Sequence, residues 1–162
     1  MFVVSIKSSK VKIILFSLFL AIIAVFTVLF FMAERTSATV SEGGISLRAS
    51  TESEREKFLS QFGWEFDVEP AEVKEVTIPW EFDETYIEYN ALQKRQSLDL
   101  EKYKGEIVKK WTYNINNFPD YEGKTGYVQA NLLIYNGNVI GADITVLGKK
   151  AQTYTIDWML KE

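Results

Sequence analysis

The chain reads as α+β: one N-terminal transmembrane helix, then a small domain of two helices packed on a four-stranded antiparallel meander. Three observations predict this. Ile13 to Ala33 is an unbroken apolar run. Two stretches between Ser53 and Ser97 repeat their apolar residues at a helical spacing. From Glu106 onward the period drops to 2, and an Asn136-Gly137 pair sits between two strand-like segments.

The apolar run spans 21 residues without Asp, Glu, Lys, Arg, Asn or Gln. As a helix it is long enough to cross a ~30 Å hydrocarbon core, so membrane lipid is the expected partner of residues 13–33. Lys7, Lys10 and Lys12 precede it, whereas Glu34-Arg35 follows. Excess Lys on the short side keeps that end in the cytoplasm and sends the rest out, giving a single-pass protein with an extracytoplasmic C-terminal domain. Thr36-Ser37-Ala38 also fits a signal-peptidase site. The run exceeds the usual 7–15 residues of a cleaved signal, so a retained anchor is expected. The organisation follows: a stub at 1–12, the span at 13–33, a linker at 34–49 and the exported domain at 50–162.

Beyond Ala33 the chain carries 15 basic against 22 acidic residues, a balance of −7. Nucleic acid and anionic lipid surfaces require clustered Lys and Arg, so neither is an expected partner of the exported part. There is no cysteine, so no disulfide or lipid anchor is available and the fold must rest on its core.

Thr36 to Ala49 is rich in Ser, Thr and Gly and lacks an apolar period, as a linker does. Ser53 and Glu56 form a Ser-x-x-Glu box that opens a short helix with Phe58, Leu59 and Phe62 on one face. Gly63 closes it, with Trp64 folding back on Leu59. Two extended pieces follow, Glu65 to Val68 and Val73 to Ile78, broken at Pro70. Pro79 then starts a second helix over about Phe82 to Ser97. Its apolar stripe, Phe82, Tyr86, Tyr89 and Leu92, continues into Gln93 and Gln96, read as the place where the stripe meets solvent. The meander consists of a strand from Ile107 to Ile115, one from Tyr127 to Tyr135, one from Asn138 to Leu147, and a last one carrying Tyr154, Ile156 and Trp158. Asn136 and Gly137 accept the positive φ of a type I′ turn, so the middle strands form a hairpin. The helices are expected over one face of this sheet.

The chain has no histidine as well as no cysteine, which removes His-based nucleophilic systems and His- or Cys-ligated zinc. The single Ser-x-x-Lys match, Ser9 to Lys12, lies in the stub, and no Gly-rich phosphate loop follows a strand. No cofactor is implied and the expectation is not an enzyme. The alternative is a carboxylate-dependent hydrolase of cell-wall glycan, using an acidic pair ~5–9.5 Å apart. The loop Asn116 to Gly126 holds the candidate partner contacts: Phe118, Asp120, Tyr121 and Glu122. Aromatic rings among polar groups at a strand-to-strand tip suit an adaptable contact surface, so replacing Phe118 and Tyr121 by Ser is expected to cost binding and little stability. Asp120 and Glu122 are too few for a calcium loop. Trp64, Trp80, Trp111, Tyr113, Tyr154 and Trp158 are expected to form core between helix and sheet rather than line a groove.

Residues 58–65 (FLSQFGWE) through 76–79 (VTIP), together with 89–94 (YNALQK) and 130–144 (ANLLIYNGNVIGADI), carry a resemblance. They are similar to a family of short, membrane-anchored, uncharacterised proteins of Gram-positive, Clostridia-like bacteria, classed as a domain of unknown function. The resemblance covers Phe58 to Ile144 and departs from the family's shorter ending after Thr145. It implies a cell type and a topology and assigns no activity. The hairpin at Asn136-Gly137 is more loosely similar to peptidase-propeptide-like binding modules, an analogy of fold alone. The expected function is therefore a non-enzymatic binding or regulatory module. Its partner would be an envelope protein or peptide that engages the sheet edge or the 116–126 loop.

Overall fold

Two helices and a five-stranded antiparallel sheet of order β1-β2-β3-β4-β5 make up the domain that follows the linker. A computed structural model describes residues 44–148 and 151–161. The expected span at 13–33 lies outside them, as do the stub and most of the linker; among the described residues no helix is long and apolar enough to cross a membrane. The elements are α1 (Glu52–Ser60), β1 (Glu72–Thr77), α2 (Glu84–Lys94), β2 (Ile107–Asn114), β3 (Val128–Tyr135), β4 (Asn138–Val146) and β5 (Gln152–Tyr154). Short 3₁₀ turns follow α2 at Leu100–Tyr103 and β5 at Trp158–Leu160.

The capping box of α1 sits two residues before the expected one. Thr51 is the N-cap, its hydroxyl accepting from the Glu54 amide while the Glu54 carboxylate accepts from the Thr51 amide. The earlier frame wins because Glu54 also takes the Ser50 N–H and pairs with Arg48, both at 2.9 Å. Burial pushes the Glu54 carboxyl up, but the Thr51 amide, Arg48 and the Ser50 amide outweigh it and hold the group below its usual value. Asp83 caps α2 through the Tyr86 amide at 2.8 Å.

The strand count is five and not four, because the extended piece at Glu72–Thr77 joins the sheet. It pairs with β2 in register from Glu72↔Thr112 to Thr77↔Ile107. Its EVKEVT sequence carries charge on both faces, so no alternation identified it as a sheet strand. Phe66 bridges Ile115, which places the preceding extended piece along the same side of β2. Between β3 and β4, Asn136 and Gly137 adopt φ of 47° and 76°, the expected turn. The register shifts between Leu133 and Ile134, which face Gly141 and Val139, so the bulged strand is β4 with Ile140 as its extra residue.

The helices lie on opposite faces, which corrects the one-face arrangement. Consecutive residues of β3 separate the two cores: Leu132 belongs to one and Leu133 to the other. Phe58, Leu59 and Phe62 pack with Val128, Ala130 and Leu132 beneath α1. Tyr86 and Tyr89 of α2 pack against Leu133, Ile140 and Leu100. With both faces covered, β3 and β4 are buried along nearly their whole length.

The outer edge of β4 has no full-length strand beside it, and three devices close it in turn. At its start, residues 47–49 run alongside, with the Val139 N–H donating to Leu47 and the Ala49 N–H to Gly137, both at 2.8 Å. At its end, β5 pairs Ile144, Thr145 and Val146. Between them, Gln93 Oε1 accepts the Ala142 N–H at 2.9 Å and Gln96 Nε2 donates to the Ala142 carbonyl. Gln96 Oε1 then accepts the Ile156 N–H at 2.8 Å, tying in the chain after β5. The two glutamines thus replace a strand. Gln93 is fully buried rather than at the solvent margin of its stripe. Gly141 permits this approach, since a Cβ there would come within 3.5 Å of Leu133, Leu100 and Gln93. Replacing Gln93 by Leu leaves the Ala142 N–H without an acceptor, although it also removes the unpartnered Gln93 Nε2. The expected net loss is about 1–3 kcal/mol, seen as a lower urea midpoint at unchanged m-value.

Candidate binding surface

The loop expected to make partner contacts divides into a buried and an open half. Phe118 is 6% exposed. Its ring stacks on Trp158 at 4.8 Å and on Trp64 at 6.1 Å, and Tyr121 meets its edge at 6.2 Å. The expectation that Phe118 can be lost without cost to stability is therefore overturned: the ring is part of the α1-side core. Tyr121 is half-buried, while Asp120 and Glu122 face solvent. Lys124 folds back over this tip, donating to the Asp120 carbonyl at 2.8 Å with its ammonium 5.2 Å from the Tyr121 ring centre. Of the six large aromatics expected in the core, Trp64 and Tyr113 are buried and Trp111, Tyr154 and Trp158 pack against it. Trp80 is 76% exposed, its ring lying over Gly105 where a Cβ would collide.

The α2 face holds a polar ladder across three strands. Thr112 donates to Asn131 at 3.0 Å, and Asn131 donates to Asp143 at 2.8 Å. Thr145 and Tyr89 complete the Asp143 carboxylate, each donating at 2.8 Å. Asp143 is 3% exposed and is the one carboxylate counted as buried among the described residues. A general acid or base must reach substrate, and this group is closed off with donors on both oxygens. Its role is to clamp α2 to the sheet. Burial, reinforced by the Asp143 charge, holds the Tyr89 phenol well above its ordinary value. Among the described residues no three acidic side chains converge as a metal site requires.

What remains open lies around β1. Ile78 bonds β2 through the Glu106 carbonyl, so by antiparallel alternation Val76, Lys74 and Glu72 face β2 with their main chain. The N–H and C=O groups of Val73, Glu75 and Thr77 then point away from the sheet. Among the described residues nothing pairs with them, and Val73 is 46% exposed. The other terminal strand, β5, is only three residues long.

Beside β1, on the α1 face, is a cavity of about 390 Å³. Arg55 forms its inner wall, with Trp111, Ile107 and Ile134 as apolar lining and Glu75 and Lys109 nearer the rim. Arg55 was missed in the sequence, although its signal was present: it occupies the same helical stripe as Phe58, Leu59 and Phe62.

Residues 58–144 match the family described as a domain of unknown function, DUF4830, and the chain belongs to that family. No curated protein and no solved structure matches the chain.

Two measurements check the buried half of this surface. Phe118→Ser is expected to cost about 3–5 kcal/mol in chemical denaturation, because it opens a cavity among stacked rings. Tyr89→Phe takes a donor from Asp143 and is expected to cost about 1–3 kcal/mol at neutral pH. The folded state holds the Tyr89 proton more tightly than the unfolded chain does. Stability is therefore complete below the ordinary phenol range, near 10, and falls as pH rises through and above it. That alkaline decline is expected to be shallower in Tyr89→Phe.

Proposed function

We propose that this DUF4830 protein is a non-enzymatic binding or regulatory module that adds an extended segment of an envelope protein to the open edge of β1. Residues 13–33 would anchor it in the cytoplasmic membrane of a Gram-positive cell with the domain outside. The observation that carries the reading is the contrast between the two sides of the sheet. The β4 side is closed by a chain segment, two glutamines and a short strand, while β1 is a six-residue strand whose outer edge has no neighbour among the described residues. Strand addition draws its affinity from such main-chain groups and its specificity from the alternating side chains.

The charges of β1 argue for a partner other than a second copy. Two β1 edges related by a twofold axis overlap best with Glu75 opposite Glu75 or Lys74 opposite Lys74, and like charges directly opposed destabilise a sheet. A partner strand with a basic residue facing Glu75 and an acidic one facing Lys74 meets no such penalty. Confinement of both molecules to one membrane surface raises their effective concentration, so weak intrinsic binding suffices.

The test places a photo-crosslinking residue at Val73 of the full chain in its membrane and compares it with the same chain carrying Glu75→Pro. Proline removes one outward N–H and is tolerated on edge strands. The expected result is an adduct on an extended segment of another envelope protein, lost in Glu75→Pro while the melting temperature stays within a few degrees. An adduct that survives the proline in a folded chain overturns the reading.

A further inference from the structure

Arg55 is 6% exposed, and a buried cation normally has an anion beside it. Among the described residues its hydrogen-bond partners are all neutral. Its Nε donates to the Tyr113 hydroxyl at 2.9 Å, and Nη1 reaches the Ala49 and Ser50 carbonyls at 3.4 Å each. Its guanidinium carbon lies 3.6 Å from the Trp111 ring centre. Nη2 makes no hydrogen bond among the described residues, and no carboxylate there comes within ion-pair distance of Arg55. The side chain is nevertheless held firmly by the ring, the phenol and two carbonyls. A fixed guanidinium with free N–H groups is the donor arrangement that carboxylates match best.

The cavity supplies the rest of a binding site. Lys109 adds a second cation, Trp111, Ile107 and Ile134 provide an apolar wall, and about 390 Å³ accommodates one or two amino-acid residues. The charged lining is Arg55 and Lys109 against Glu75 alone, a net +1 on a segment whose net charge is −7. We infer that this cavity binds the terminal carboxylate of a peptide, with the carboxylate on Arg55 and the last, apolar side chain against Trp111. The site does not depend on strand addition at β1: Arg55, Trp111 and Lys109 lie on α1 and β2, and the titration below reads Arg55 and Trp111 whether or not β1 has a partner.

The probe is N-acetyl-alanyl-leucine, titrated into the ¹⁵N-labelled full chain in detergent micelles, with its C-terminal amide and glucuronate as comparisons. The expected result is a saturable shift of the Arg55 Nε–H and Trp111 indole N–H resonances with the acid and none with the amide. Arg55→Gln is expected to abolish it. Lys109→Glu, on an exposed side chain that leaves the fold intact, is expected to weaken it about tenfold or more. Equal shifts with acid and amide, no shift with the acid up to its solubility limit, or an unchanged affinity in Lys109→Glu each overturn the assignment. Glucuronate matching the peptide would overturn the peptide terminus as the source of the carboxylate.

Discussion

A strand buried in the middle of a sheet needs hydrogen-bond partners along both of its sides, and β4 lacks a strand long enough to provide them on its outer side. The domain meets that requirement piecewise. The chain entering at 47–49 serves the first part of β4, Gln93 and Gln96 serve Ala142, and β5 serves the last part. Much of the architecture follows from this solution. The helix α2 must approach the β4 edge closely, which requires Gly141, and the chain after β5 must come within reach of Gln96 through Ile156. The Asp143 ladder then fixes α2 from the sheet face through Tyr89.

The opposite side of the sheet has no comparable investment. β1 carries charges and one half-exposed apolar residue, and among the described residues no strand lies beside its outward main-chain groups. Such an edge risks uncontrolled pairing, and alternating charges are a common protection against it. The same charges that oppose self-association leave room for a partner with complementary ones. The cavity beside β1 adds a basic pocket with an aromatic wall, so openness and local chemistry converge on one side of the domain.

The contact loop shows where local reading misleads. Pro119, Gly123 and Gly126 mark a loop correctly, and Asp120 takes the positive φ that short polar residues tolerate. Nothing local shows that Phe118 turns inward onto Trp158, because Trp158 is 40 residues further along the chain. Arg55 is a similar case. Its place on the apolar stripe was visible, but its neutral contacts are set by Trp111 and Tyr113 on a strand far away in sequence.

The residues alone determined the class of the fold, the helix positions to within a few residues, the Asn136-Gly137 hairpin and the apolar faces of α1 and β3, because each of these rests on local periodicity or on a backbone conformation that few side chains accept. The tertiary structure decided that β1 joins the sheet, that the helices take opposite faces, that two glutamines stand in for a strand and that Arg55 is buried among neutral partners. These depend on contacts between segments far apart in the chain, and a hydrogen bond from a side chain to a distant main chain leaves no periodic trace in the order of residues.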